Sequence, residues 1–224
     1  MEGREMFITI EAPQYKQYRS LLDQMFRLRK TVFHDQLEWD VPVKGDYERD
    51  QYDDLNPAYL VWCSADGKTL YGAARLMPTT GPTLLYDVFF DTLPHAAPLQ
   101  APGIWEVTRL CLHEENIARD HAGIDNARAI GLMCLALAEC AVAHSIHTLI
   151  CNYEPHMARV YKRTGCPVQE MGRADGYGRR PVCCGAFYMS PETVATMRET
   201  QNIDLPLYRQ PLPSRPVEAR GLAA

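Results

Sequence analysis

A chain of 224 residues suits one large domain or two small ones, and 46% hydrophobic content supplies a sizeable core. A formal charge of -5 excludes a general nucleic-acid binder, because neutralising phosphates needs a net basic face. The opening MEGREMFITIEAPQ has no apolar core of signal-peptide length, and no stretch approaches the ~20 apolar residues of a membrane span, so a soluble, cytoplasmic protein is expected.

In chain order, Phe7 to Ile10 reads as a short strand. A helix follows in which Tyr15, Tyr18, Leu21, Leu22, Met25, Phe26, Val32 and Phe33 recur at helical spacing. Arg29 lies one turn before Phe33, so a cation and an aromatic ring are presented together at the C-terminal end of this helix. From Gln36 to Pro57 the chain turns polar and is broken by Pro42, Gly45 and Pro57, the pattern of a long functional loop. Two strands, AYLVWCSA and KTLYGAARLM, are joined through Asp66-Gly67, a hairpin signal. After the turn PTTGP, the runs LLYDVFF and IWEVTRLCL read as further strands, separated by PHAAPLQAPG. The pattern then changes to a helix from Asp125, a buried strand HTLICNY, a helix from Pro155 to Thr164 ended by Gly165, a late strand PVCCGAFYM and a last helix opened by Ser190-Pro191. A β-meander followed by alternating helix and strand predicts a mixed α/β sheet flanked by helices. One domain is expected over 1–204, with a Pro- and Arg-rich tail at 205–224 that is expected to be poorly ordered.

Eight cysteines never form a C-x-x-C pair and mostly sit in apolar runs, so they read as buried thiols of a reducing compartment. His144 and His147 have a spacing that suits two metal ligands but no evident third, and no metal site is assigned. Four acids, three arginines and two aromatics lie between Arg29 and Arg109, bound to apolar runs. Such charges are costly in a core unless they pair, which predicts that they meet in one desolvated site.

The order R-x-x-x-F-x-x-x-x-x-W (Arg29, Phe33, Trp39), E-x-D-x-x-D (Glu48, Asp50, Asp53), ARL (Arg75), DVF (Phe89) and WEVTRL (Glu106, Arg109) closely resembles the acyl-homoserine-lactone synthases, the LuxI-type autoinducer synthases, from about Phe7 to Gly165. The resemblance implies a fold like that of the GCN5-related N-acetyltransferases. It implies S-adenosylmethionine as one substrate, an acyl thioester on acyl carrier protein or coenzyme A as the other, and release of an N-acyl-L-homoserine lactone and methylthioadenosine as a quorum-sensing reaction. On this pattern Glu106, Asp50, Arg75 and Arg109 are the expected catalytic cluster, and Arg29, Phe33, Trp39, Glu48 and Asp53 the expected S-adenosylmethionine site. Several of them are expected to scaffold the site rather than to move protons.

The residue types suit the chemistry. A sulfonium amino acid calls for acids, an Arg for its carboxylate, and aromatic surface. Its α-amine has a reference pKa near ~8 and must lose a proton before attacking a thioester, which makes Glu106 the candidate base. A backbone N–H on the same strand is the candidate donor to the oxyanion. Lactonisation needs only a chain held folded in line, and no metal or cofactor is required. In a regular strand Glu106 and Arg109 point to opposite faces, so a bulge is expected near Val107-Thr108. If none exists, Arg109 serves only to support the strand.

Met77, Phe89, Leu149, Cys151 and Met157 are the expected acyl-tunnel lining, with ordinary core packing as the alternative for each. Relatives making 3-oxo products often have Thr where this chain has Cys151, which argues against a 3-oxo preference. Arg159, Lys162 and Arg163, with Arg173, Arg179 and Arg180, form a basic cluster suited to an acidic carrier or to coenzyme A phosphates, or a solvated face. A conventional coenzyme-A-dependent N-acetyltransferase would carry R/Q-x-x-G-x-G/A before the first helix after the meander; from Arg119, Ala122 and Ile124 occupy the glycine positions. A non-enzymatic ligand-binding relative would have lost Glu106 or the Arg29–Trp39 set, and neither is lost.

Overall fold

The computed structural model describes residues 5–93 and 99–209. Its centre is a seven-stranded sheet in the order β1-β4-β5-β6-β7-β9-β8, where β1 is Glu5–Ile10, β4 Ala58–Ser64, β5 Leu70–Pro78, β6 Ile104–Leu112, β7 Thr148–Tyr153, β8 Gln169–Ala174 and β9 Val182–Tyr188. A separate two-stranded ribbon pairs β2 (Val43–Lys44) with β3 (Tyr47–Glu48). Every pairing in the large sheet is antiparallel except β6 with β7.

The period-2 alternation of the strands divides the core between two faces. Phe7, Leu60, Trp62, Ala74, Leu76 and Leu149 face α4 (Asn126–Ala143) and α6 (Pro191–Gln201) in the main cluster. Ile8, Ile10, Tyr59, Val61 and Ala73 face α1 (Arg19–Arg29) in a second. By length and hydropathy α4 is apolar enough to cross a membrane, more apolar than the sequence pattern suggested, but most of it is buried inside this fold. Its start is fixed by Asp125, whose carboxylate accepts from Arg128 N at 2.7 Å. α5 (Met157–Arg163) ends where Gly165 takes φ +83°, a left-handed conformation that glycine adopts without steric cost.

Four segments differ from the sequence expectation. LLYDVFF is not a strand: Leu84–Asp87 form α2, and Phe90–Thr92 a further 3-10 turn. The Glu106 carboxylate accepts from Leu84 N (3.0 Å) and Leu85 N (2.7 Å), and Thr83 caps the turn, so a tertiary contact overrides local β propensity. α3 (Glu114–Asp120) and β8 are extra elements, both polar and without clear periodicity. Of the tail expected from 205, residues 205–209 are described. Tyr208 bridges to Phe7 at the outer edge of β1, and Glu139 accepts from Leu207 N and Tyr208 N. Residues 210–224 and PHAAP, at 94–98, lie outside the described residues.

Candidate active site

α1 does not continue as a regular helix through Phe33; residues Lys30–Gln36 widen into a π-helical turn, a form that recurs at functional sites. Leu37 N reaches back to Val32 O, and Trp39 N donates to Phe33 O at 2.9 Å. The Trp39 and Phe33 rings stack with centroids 5.3 Å apart, and the Arg109 guanidinium lies 5.5 Å over the other neighbour of the stack, the Phe33 ring. Phe33 is buried, whereas Trp39 is 43% exposed, too much for a core aromatic.

The spacing of the acids has a local cause. Glu48 ends β3, Asp50 caps the 3-10 turn Gln51–Leu55 by accepting from Tyr52 N, and Asp53 returns a bond from Asp50 N at 2.9 Å. This capping box explains D-x-x-D and presents all three carboxylates to the sheet. There they meet three arginines in a closed ring of alternating charge. Arg29 contacts Glu48 (2.5 Å) and Asp53 (2.8 and 2.9 Å); Arg109 contacts Glu48 (3.1 Å) and Asp50 (3.0 Å); Arg75 contacts Asp50 and Asp53. Tyr59 Oη adds a bond to Asp53 at 2.8 Å, and Thr108 Oγ1 accepts from Arg75 Nε at 3.0 Å.

Burial opposes the charge at Arg29, Asp53, Arg75 and Arg109, and the partners outweigh it at all but Arg109. Arg29 and Arg75 bring the Asp53 carboxyl well below its ordinary range against the desolvation that would raise it. Asp53 and Glu48 likewise outweigh desolvation at Arg29 and hold its pKa up, while at Arg109 desolvation wins and lowers it. Arg29, Glu48 and Asp53 have essentially no exposure and are engaged by one another. Arg109 and Asp50 keep a little exposure, on the side of the ring where Arg109 lies over Phe33.

The predicted bulge exists, and it sits at Arg109 rather than at Val107-Thr108. Arg75 pairs with Thr108 but Ala73 with Cys111, so β6 carries one extra residue, and Arg109 takes φ +56°. The bulge turns Arg109 onto the face that already holds Glu106, Thr108 and Arg75. It lies on a strand that is incompletely covered. β6 pairs with β7 only at Ile104↔Thr148, Trp105↔Leu149 and Glu106↔Ile150, after which no pairing is formed although both strands continue. Positions 107–110 of this central strand are accordingly only half-buried. Glu106 stands at the fork, fully buried, and burial pushes its pKa up to about 7 despite the hydrogen bonds from Leu85 N and Leu84 N and the nearby Arg75 and Arg109.

The five residues expected to line the acyl tunnel fall on both sides of this fork. Met77 packs with Tyr52, Leu84 and Phe89 on the Glu106 face, and Phe89 contacts the Tyr177 ring at 4.9 Å. Leu149 belongs to the α4 cluster on the other face, and Cys151 shares its side of β7; Met157 opens α5 and is half-buried. The basic cluster divides too. Arg173 pairs with Glu170, Arg179 with Glu38 and Arg180 with Glu154, whereas Arg159, Lys162 and Arg163 are exposed on α5 with no ion pair among the described residues. Tyr59 and Thr108 were not anticipated; each follows a strand alternation that reads equally well as core packing.

A mixed sheet parted between two parallel strands is a fold like that of the GCN5-related N-acetyltransferases. A Lactobacillus plantarum structure described as an N-acetyltransferase superposes with a TM-score of 0.52 over 83% of this chain and 99% of its own, at 17% identity. A coenzyme-A-dependent acyl-homoserine lactone synthase, BjaI, crystallised with methylthioadenosine (MTA), superposes with a TM-score of 0.81 over 94% of this chain and 95% of its own, at 22% identity. An acyl-homoserine-lactone synthase of Agrobacterium fabrum is 32% identical over 178 residues, 80% of this chain and 83% of its own. Residues 13–197 match the autoinducer synthase family, and the chain belongs to it. It is an acyltransferase, an acyl-homoserine-lactone synthase.

Proposed function

We propose that the Trp39–Phe33–Arg109–Asp50 side of the ionic ring receives S-adenosylmethionine, and that its α-amine is deprotonated by Glu106 and attacks an acyl thioester held in the fork between β6 and β7. The observation that carries this reading is the position of Glu106. A buried carboxyl with a pKa of about 7, at the last paired position before the strands part, is half-ionised near neutral pH and stands beside the opening through which a thioester reaches it. Beyond it the β7-facing side of β6 has no ladder partner, so its backbone N–H groups are the candidates for holding the oxyanion.

Trp39 and Phe33 offer stacked aromatic surface for the adenine or the sulfonium, and Arg109 and Asp50 offer the partly exposed charges for the amino-acid end. Arg29, Glu48, Asp53 and Arg75 act by holding those groups in place, since their own charges are already matched within the ring. Ring closure follows when the substrate carboxylate displaces methylthioadenosine from the same folded chain, with no metal or cofactor involved.

The donor enters past α5, where Arg159, Lys162 and Arg163 meet the phosphates of coenzyme A or an acidic carrier protein. BjaI is a coenzyme-A-dependent relative. The Asp125 carboxylate takes up one of the N-terminal donors of α4, and the glycine pattern of a pyrophosphate cradle is missing before it, which disfavours a conventional acetyltransferase. The protein acts in the cytoplasm, where both substrates are made. Incubation with S-adenosylmethionine and acyl thioesters on either carrier tests the reading: mass spectrometry should find methylthioadenosine and an acyl-homoserine lactone. An acetylated amine with intact S-adenosylmethionine, or binding without turnover, contradicts it.

A further inference from the structure

Tyr52 sits between the ionic ring and the turn that holds Glu106. Its N–H donates to Asp50 Oδ1 at 3.0 Å, and the Arg75 guanidinium lies 5.4 Å from the centre of its ring. The same ring packs with Met77 and Leu84, and the hydroxyl donates to Asp87 Oδ2 at 3.0 Å. Burial pushes the phenol pKa up to about 12 in spite of a hydrogen bond from Gln51, so near neutral pH Tyr52 is a fixed donor and not a base. Neither Tyr52 nor Asp87 takes part in the charge balance of the ring.

Asp87 ends α2, a single turn of four residues in a segment whose composition favours a strand. So short a helix is unstable by itself, because fixing its first turn costs more backbone entropy than its own hydrogen bonds offset. Three contacts hold it: Thr83 Oγ1 accepts from Tyr86 N, the Glu106 carboxylate accepts from Leu84 N and Leu85 N, and Asp87 accepts from Tyr52. Of these, the Tyr52 bond alone grips the last residue, and it comes from the capped turn that carries Asp50 and Asp53. Leu84 N and Leu85 N reach different oxygens of Glu106, so a tilt of the turn weakens both bonds at once.

We infer that Tyr52 and Asp87 are positioning residues for the reaction: the phenol holds the Asp87 carboxylate and thereby keeps the leading N–H groups of α2 on both oxygens of Glu106. The inference rests on the reading that Glu106 is the base. N–H donors orient the carboxyl and favour its ionised form, the one that can take a proton from the amine. The other groups acting on Glu106 are fixed separately. Arg75 and Arg109 are held in the ring, Tyr86 hydrogen-bonds to the Leu99 backbone, and Cys151 and Cys184 are thiols that burial keeps protonated. Removing the Asp87 charge would by itself ease the ionisation of Glu106, so a change in the opposite direction reports the lost hold.

The test uses the full chain with S-adenosylmethionine and an acyl thioester, following methylthioadenosine release across the neutral pH range. In Y52F and in D87A the rise of kcat/KM should move from near pH 7 to roughly pH 8, with a loss of about 3- to 10-fold at pH 7 and no change in the KM for S-adenosylmethionine. Both variants remove the same bond, so the double variant should be no worse than either single one. D87N, whose amide oxygen still accepts from the phenol, should keep most of the wild-type rate, and D87A carries the test if Y52F does not fold. A loss that is equal at every pH, or effects that add in the double variant, overturns the inference. E106Q separates it from the reading beneath it: full turnover in E106Q overturns both, whereas an impaired E106Q beside an unmoved pH rise in Y52F and D87A overturns the inference alone.

Discussion

On the β1–β6 side of the fork, three arginines and three carboxylates match one another in a closed ring and are almost wholly shielded from water. On the β7–β9 side, Arg159, Lys162 and Arg163 stand in solvent with no ion pair among the described residues, and Asn152 Oδ1 and Tyr153 Oη are buried with no hydrogen bond among them. The two sides meet at Glu106↔Ile150. The contrast teaches how the work is divided. The acceptor half is organised before substrate arrives, because a neutral ring fixes the Trp39 stack, the Asp50 turn and the Arg109 bulge together. On the proposed function, the donor half is the one left open for its ligand.

Opening the ring is the hardest blow to that division. D53N removes the carboxylate shared by Arg29 and Arg75 and leaves two buried guanidinium groups underneutralised, so chemical denaturation should show a loss of about 3–5 kcal/mol. Activity should fall with it, as the Asp50 turn loses its capping partner. Full stability in D53N would show that the ring is not what organises this half.

The next effect lies at the fork. E106Q should lower kcat by roughly 10²- to 10⁴-fold with the fold intact. In the wild type, kcat/KM should rise with pH up to about 7 and then level off, as Glu106 loses its proton. Stability runs the other way. Below the ordinary value of 4.5 the carboxyl is protonated in both states; between 4.5 and about 7 the unfolded chain ionises first, so the native state weakens as pH rises. The gap between E106Q and wild type in unfolding free energy should therefore move in favour of E106Q by on the order of 3 kcal/mol across that window. A flat difference would mean that Glu106 titrates as an ordinary carboxylate and is a poor base at neutral pH.

These two sites also mark how far the sequence alone carries. The arginines of the ring were legible because they sit in core-forming segments, where unpaired charge is too costly to keep, whereas E-x-D-x-x-D lies in the polar stretch Gln36–Pro57 and stood out only through the family resemblance. The bulge was legible because Glu106 and Arg109 are three positions apart; its position at Arg109 was not, since it depends on how β5 registers against β6. LLYDVFF read as a strand because the contact that curls it, with Glu106, comes from 21 and 22 residues further along the chain. The fork itself left no local signature: β6 and β7 are both apolar and strand-like, and only their pairing shows where they part. The C-terminal dock of Tyr208 is equally invisible, since its partners Thr9, Glu139 and His144 are scattered along the chain.

Trp39 sharpens the comparison with a smaller effect. Its ring is stacked on Phe33 but open to solvent on its other side, so W39A should cost only about 1 kcal/mol of stability. The KM for S-adenosylmethionine should rise roughly five- to tenfold, since the exposed face is what a ligand covers. A large stability loss with an unchanged KM would make Trp39 part of the scaffold instead.

The smallest effect, and the one that speaks to the donor half, comes from α5. Arg159, Lys162 and Arg163 have no acid to match them among the described residues, so replacing any one by Ala should leave the fold unchanged and raise the donor KM by about twofold. Reversing all three to Glu should raise it about tenfold at low salt, and the difference should shrink toward nothing near 1 M salt, where the screening length is about 3 Å. kcat at saturating donor should stay the same, because rim charges govern encounter rather than chemistry. A coenzyme A donor and a carrier-protein donor should respond unequally: the triple reversal weakens most the donor whose charge lies against α5. An equal response to both at every salt concentration would place the donor elsewhere and leave these residues as a solvated face.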